Sequence, residues 1–191
     1  REIVGDKYAN IYVASSLGNN NNLLKLSRDG DILWDLNLGG KGSEAFSGLV
    51  VNTNQEEIIL TKQYQDSYIM KLDFNGNVLM SKSFTHNINS VKLDSSNGFI
   101  YAVGAHDGIS YVYKLDYWSL DTIWEKTFNP SAGTLVDGGS CPDYINDIDI
   151  LLESGNDIII AGETNQNNNT VSCNNTDGWI MRLDSDGNRI F

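Results

Sequence analysis

Apolar residues in this chain come in short runs of four to eight positions, rich in β-branched and aromatic types. None recurs at helical spacing between caps, so each run predicts a β-strand. Four kinds of run, a to d, follow one another. Run a comprises Glu2-Ile3-Val4, Leu49-Val50-Val51, Ser90-Val91-Lys92-Leu93 and Asp147-Ile148-Asp149-Ile150. Run b comprises Ile11-Tyr12-Val13-Ala14, Ile58-Ile59-Leu60-Thr61, Ile100-Tyr101-Ala102-Val103 and Ile158-Ile159-Ile160-Ala161. Run c comprises Leu23-Leu24-Lys25-Leu26, Tyr68 to Leu72, Tyr111 to Leu115 and Trp179 to Leu183. Run d comprises Ile32-Leu33-Trp34, Val78-Leu79-Met80, Thr122-Ile123-Trp124 and Arg189-Ile190-Phe191. Run b is apolar on both faces, as a strand covered on both sides requires. Runs a and c tend to alternate, as half-buried strands do. Turn formers such as Ser95-Ser96-Asn97-Gly98 separate a from b, and an Asp-Gly or Asn-Gly pair separates c from d.

The passage from c to d is a repeated motif. Lys71-Leu72-Asp73-Phe74-Asn75-Gly76 echoes Lys25-Leu26-Ser27-Arg28-Asp29-Gly30 and Arg182-Leu183-Asp184-Ser185-Asp186-Gly187, and Lys114-Leu115-Asp116 leads to Trp124 with one extra residue. The basic anchors stand 46, 43 and 68 residues apart. Four strands repeating at this spacing are the signature of a β-propeller blade. The predicted fold is all-β: one propeller region over 1–191, with four blades of four antiparallel strands at about 1–38, 46–86, 88–128 and 144–191. A β-sandwich would need similar strands but would not repeat the next feature. Nine positions after the anchor stand Trp34, Met80 and Phe191, and Trp124 stands ten after. A large apolar group at one place per repeat reads as a wedge docked between neighbouring blades. The first three d runs continue past the wedge while the fourth stops at Phe191. The expectation is therefore a piece of a longer propeller or array.

The pattern Lys-Leu-Asp-x-x-Gly-x-x-x-Trp resembles the blades of secreted bacterial propellers of the delta-60 and SBBP kind. It is more distantly similar to the tryptophan-docking blades of quinoprotein dehydrogenases. The resemblance covers nearly the whole chain and rests on structural positions. It implies the propeller fold and carries over no active site.

Two insertions depart from the repeat, Asn129 to Asp143 between blades three and four, and Glu163 to Gly178 between b and c of blade four. In an up-and-down blade the d–a and b–c connections emerge on one face of the disc, so both insertions share that face. Each carries one of the two cysteines, Cys141 and Cys173, and the second carries sequons at Asn168 and Asn174. This points to a secreted or cell-surface protein with glycosylated asparagines and one disulfide. A net charge of −12 argues against nucleic-acid partners and anionic membranes, because phosphate binding needs clustered Lys and Arg. No run approaches the length of a bilayer span, which argues against membrane insertion. The chain opens at Arg1 without an apolar leader, as a mature form or a piece of something longer would.

Few residues invite chemistry. Asp29 and Asp31, Asp73 and Asn75, and Asp184 and Asp186 alternate oxygen ligands around a Gly, as a calcium loop begins. The remaining ligands of such a loop are missing, and Asp and Asn serve tight turns equally well, so no metal is expected. His86 and His106 fall in loops and read as surface residues. Gly39-Gly40-Lys41-Gly42-Ser43 lacks the flanking strand and helix of a phosphate loop. Tyr64, Tyr68, Tyr111, Tyr117, Trp118 and Trp179 could stack on sugars, though strand packing is the simpler role. The quinoprotein option fails for want of more blades, a cofactor cage and adjacent cysteines, and no cofactor is expected. The reading is a non-enzymatic binding or scaffold module that takes a protein or glycan ligand on the loop face. The alternatives are an architectural subunit of an assembly or filament, bound to further blades or subunits, and a glycan-active hydrolase with paired carboxylates.

A Cys141–Cys173 bridge closes a loop of about 32 residues and contributes roughly 3 to 4 kcal/mol in the loop-entropy model. Peptide mapping without reduction should recover the two cysteine peptides linked; unlinked peptides from the native compartment would contradict the bridge.

Overall fold

All runs but the last become strands in the computed structural model, which describes residues 2–17, 20–39, 45–63, 67–106, 109–128, 144–151, 157–166 and 175–191. The first sheet joins β1 (Glu2–Gly5), β2 (Ile11–Leu17), β3 (Asn20–Leu26) and β4 (Ile32–Asn37) in chain order. The second does the same with β5 (Ala45–Asn52), β6 (Glu57–Gln63), β7 (Ser67–Asp73) and β8 (Val78–Phe84). The third contains β9 (Asn87–Asp94), β10 (Phe99–His106), β11 (Ile109–Asp116) and β12 (Thr122–Phe128). The fourth contains β13 (Tyr144–Leu151), β14 (Asp157–Gln166) and β15 (Asn175–Leu183). Neighbouring strands pair in sequence order, as they do in a propeller blade. Among the described residues no helix is long and apolar enough to cross a membrane.

The fourth sheet corrects the expectation of four strands per blade, because only three form. After the turn at Ser185–Gly187, Arg189 makes a single bridge to Leu183, and the Arg182 backbone pairs with Ile190 and Phe191. The expected b–c insertion is also shorter as a loop than the sequence implied. β14 and β15 run on, pairing Glu163 with Gly178 and Gln166 with Asn175. Cys141, Cys173, Asn168 and Asn174 lie outside the described residues.

The chain divides into two compact units, Arg1–Leu93 and Asp94–Phe191. In the first, Tyr12, Ala14 and Leu23 of one sheet bury against Phe46, Leu49, Ile58, Leu60, Leu72 and Phe74 of the next. In the second, Tyr101, Val103 and Val112 bury against Ile148, Ile158, Ile160, Met181 and Leu183. Each strand of a sheet supplies alternate residues to opposite faces. A row of paired residues therefore forms one packing surface. Tyr12–Lys25–Trp34 and Ala14–Leu23–Leu36 are two such rows.

A β-bulge falls immediately after the anchor lysine in three blades, at Lys25/Leu26, Lys71/Leu72 and Lys114/Leu115. A bulge adds one residue and re-aims what precedes it. The c–d turns of the second and fourth blades end in a left-handed glycine, with φ of +88° at Gly76 and +79° at Gly187. These two glycines also lie under the tryptophan of the preceding blade. A Cβ on Gly76 would meet Trp34 at 3.7 Å, and one on Gly187 would meet Trp124 at 3.1 Å and Lys126 Cγ at 2.9 Å. At Gly30, φ is +92° but nothing lies within 4 Å.

Gly30→Ala and Gly187→Ala should therefore differ. Both incur the left-handed penalty of about 1–2 kcal/mol, and Gly187→Ala adds a clash of about 1 kcal/mol or more. Urea denaturation of the two variants measures the difference; equal losses would mean that the tryptophan does not bear on the turn.

Candidate functional site

The site grows from the repeated motif. In the first blade Tyr12, Lys25 and Trp34 stand side by side across β2, β3 and β4. All three face the second blade. There the Asp73–Asn77 turn brings the Phe74 carbonyl to them. Lys25 Nζ donates to that oxygen at 3.0 Å and Trp34 Nε1 at 3.1 Å. A carbonyl has two lone pairs, so both bonds can be made at once. The ammonium also lies 5.4 Å from the Tyr12 ring centre and 5.2 Å from that of Phe74. The same clasp recurs in the second unit. Lys114 Nζ and Trp124 Nε1 donate to the Ser185 carbonyl at 3.0 Å and 3.3 Å. Tyr101 takes the place of Tyr12 opposite the lysine, and burial pushes its hydroxyl up to about 12.

Blades two and four are built differently at the same positions. The residue opposite the anchor is Ile59 or Ile159 rather than Tyr. The anchor meets an acid on its own sheet: Lys71 Nζ lies 3.0 Å from Glu57, and Arg182 reaches Asp157 at 2.5 Å and 2.8 Å. The wedge positions carry Met80 and Phe191, which have no N–H to donate. Phe191 is 56% exposed.

Beside the first clasp lies a cleft of about 440 Å³, lined by Tyr8, Lys25, Gln55, Glu56, Asp73, Phe74 and Asn75. It opens at the end of the first two blades where their a–b and c–d turns lie. Tyr8 forms one wall with its ring 56% exposed. Its hydroxyl donates to Glu56 Oε1 at 2.5 Å, and Lys7 pairs with the same oxygen at 3.3 Å while lying 5.0 Å from the ring centre. The turns on either side each hold a non-glycine residue in the left-handed region, Ala9 at φ 62° and Glu56 at φ 56°. Such conformations persist where the surroundings over-determine them, and they gather at binding sites.

The carboxylates of the turns serve the backbone. Asp73 Oδ1 accepts from the amides of Asn75 and Asn77 and Oδ2 from the Asn77 side chain. Asp184 repeats this with Asp186 and Asn188. Ser27 does the same for Asp29 and Asp31, and Asp116 for Trp118 and Ser119. Among the described residues no three His, Cys, Asp or Glu gather to hold a metal ion. His86 bonds Thr85 through Nδ1 at 3.3 Å, and His106 ends β10. The two histidines belong to different units. Of the expected stacking aromatics, Tyr111 and Tyr117 are buried, Trp118 is exposed, and Tyr64 lies outside the described residues. The clasp lysines and Tyr8 are the residues that sequence reasoning missed. A basic residue at the same place in every repeat, one strand away from the wedge, was the available signal for the lysines.

No family model matches the chain, and no curated protein does. Solved structures do match it. It is similar to BamB from Moraxella catarrhalis, with a TM-score of 0.59 and 13% identity, over 100% of this chain and 47% of that one. It is similar to hydrazine synthase of Kuenenia stuttgartiensis, with a TM-score of 0.55 and 8% identity, over 96% of this chain and 62% of that one. A stretch of the plexin A4 extracellular region gives a TM-score of 0.67 and 12% identity, over 96% of this chain and 26% of that one. The fold is thus propeller-like, and the chain spans about half the length of BamB or less than two thirds of the others.

Acid should expose the role of the turn carboxylates. Burial pushes Asp73 up, but the Asn77 side chain and the Asn77 and Asn75 amides outweigh it and hold the group below 3.8. The Asn188 side chain and amide hold Asp184 below the same value. Groups depressed in the folded state stabilise it fully above their unfolded value and cease to do so as pH falls through the lower folded value. Stability should therefore hold down to about pH 4 and fall below it, and less steeply in Asp73→Asn. The melting temperature should be unmoved by a chelator. A large chelator effect would make these residues ligands instead.

Proposed function

We propose that this chain is a non-enzymatic binding module of a secreted, cell-surface or envelope protein, and that it grips a protein partner in the cleft between its first two blades. The observation that carries this is Tyr8. A large ring is held out into solvent by a short bond to Glu56 and a stacked Lys7, above a polar cleft with strained rims. Exposed aromatics on a rigid scaffold are what interfaces use as anchors. The propeller-like likeness to BamB and to an extracellular receptor region supports a binding module in general terms. The motif likeness to secreted delta-60 and SBBP repeats supports the compartment. The cleft carboxylates are occupied by turn amides or by Tyr8 and Lys7, which favours binding over hydrolysis. The insertion-bearing face remains a second candidate surface for the same partner.

A glycan is the second reading. It is favoured by one combination, an exposed Tyr8 ring beside the carboxamides of Gln55 and Asn75.

A photo-crosslinking residue at position 8, expressed in the source cells, should give a discrete protein adduct that is missing when the residue is placed at exposed Glu125. A glycan array should stay blank. Array binding lost in Tyr8→Ala would favour the glycan, and neither signal would overturn the cleft as the binding site.

A further inference from the structure

Each blade must offer its anchor cation a counter-charge or a substitute for one, so the four anchors can be compared. The deciding residue is the one before the first isoleucine of run b. It is Asn10, Glu57, Phe99 or Asp157, preceding Ile11, Ile58, Ile100 and Ile158. In the second blade it is an acid, and Lys71 Nζ lies 3.0 Å from Glu57. In the fourth it is again an acid, and Arg182 Nε donates to Asp157 at 2.8 Å. In the third it is Phe99, whose ring centre lies 4.0 Å from Lys114 Nζ, and that lysine is buried. In the first it is Asn10, which is committed to its own turn. Its side chain donates to Asp6 Oδ2 and its backbone N–H to Asp6 Oδ1, each at 2.9 Å.

Among the described residues, Lys25 is thus the anchor with neither an acid nor a close ring at this position. An ammonium carries three N–H donors. The Phe74 carbonyl takes one, at 3.0 Å. The ring centres of Tyr12 and Phe74 stand 5.4 Å and 5.2 Å away, farther than Phe99 from Lys114. Lys25 is also half-buried, on the lining of an open cleft. Two acids border that cleft, and both are engaged. Glu56 Oε1 takes the Tyr8 hydroxyl and Lys7, and Lys25 adds only a lesser field to them. Asp73 takes the amides of Asn75 and Asn77 and the Asn77 side chain. A half-buried cation with spare donors, beside acids already committed, is complementary to an incoming carboxylate.

We propose that the cleft beside Tyr8 takes a carboxylate of the protein partner, seated on Lys25 Nζ. The partner supplies to the first blade what Glu57 and Asp157 supply from within the second and fourth. The carboxylate accepts from the ammonium, with the carboxamides of Gln55 and Asn75 on the same lining as further donors. The chain's net charge of −12 repels acids in general, so binding of one is local to this seat. The inference rests on the reading of the cleft as a protein-binding site and adds the chemistry that the partner presents. That carboxylate is an Asp or Glu side chain or the end of a chain.

Three peptides separate these sources. Acetyl-Gly-Glu-Gly-amide carries a side-chain carboxylate, acetyl-Gly-Gly-Gly a terminal one, and acetyl-Gly-Gln-Gly-amide neither. Each is titrated into the full chain by NMR, following the Tyr8 ring and the amides of Phe74, Asn75 and Gly76. At least one acidic peptide should shift these signals saturably, and the tighter of the two names the source. The neutral peptide should not. Equal shifts from the neutral peptide, or no saturable shift from either acid, would overturn the proposal.

A paired substitution tests the seat itself. Asp6 and Asn10 close the first a–b turn as Asn52 and Glu57 close the second. Asp6→Asn with Asn10→Glu copies the second pair into the first blade and leaves the net charge unchanged. It should keep the melting temperature, fill the seat from within and weaken the acidic peptide roughly tenfold. Asp6→Asn alone should bind as the parent does. Undiminished binding in the folded double variant would overturn the proposal; if that variant fails to fold, the peptide comparison on the parent chain decides alone. A protein adduct from position 8 that persists in the double variant would sink the carboxylate seat and leave the cleft as the binding site. No adduct from the parent chain would remove the reading beneath both.

Discussion

Two donors from one blade meet one carbonyl of the next, and the chain is shaped around that meeting. Lys25 and Trp34 reach the Phe74 oxygen, and Lys114 and Trp124 reach the Ser185 oxygen. Apolar contact between sheets is non-directional and would permit them to slide. Hydrogen bonds fix a register, and a bond from a charged donor is worth about 1.5–3 kcal/mol. The carbonyl must come from a tight turn to project beyond its sheet. The turn needs an Asx or Ser side chain to hold its amides and a glycine to reverse the chain beneath an indole. The bulge after each lysine re-aims the lysine and the wedge together. Each element of the repeated motif thus answers to the clasp.

Burying the lysine has a cost that the same geometry limits. Lys114 is 7% exposed, and burial pushes its ammonium below the usual lysine range. The carbonyl and the faces of Phe99 and Tyr101, at 4.0 Å and 5.7 Å, take the place of water. Where the opposite residue is isoleucine there is no ring face, and Glu57 or Asp157 supplies the counter-charge instead. The blades consequently alternate between two chemistries, with one clasp in each of the two compact units. The cleft at Tyr8 depends on the same clasp, since Lys25 and Phe74 form its floor.

Much of this was legible in the amino-acid order. The strands and their meander follow from apolar runs and turn formers, because those signals are local. Trp34 and Trp124 announce themselves by rarity. The lysines did not, because a basic residue in a strand ordinarily reads as a solvated end. The alternation was also present, as Tyr-Lys-Trp against Ile-Lys-Met. It emerges only when strands are laid side by side, which needs the register that a bulge shifts by one. The Tyr8 cleft was not legible, since it joins turns 48 residues apart. In the fourth blade Arg189-Ile190-Phe191 matches run d in composition, yet among the described residues it makes only a bridge to Leu183 and a pairing with the Arg182 backbone.

Hydrogen exchange in Trp34→Phe tests most directly whether the clasp makes two blades one unit. The substitution keeps an aromatic ring and removes only the N–H donor. Amides of β3 and β4 should lose protection together with those of β7, β8 and the Asp73–Asn77 turn, while β10 to β12 keep theirs. Loss confined to β4, with the second blade exchanging as in the parent chain, would contradict a clasp that couples the two.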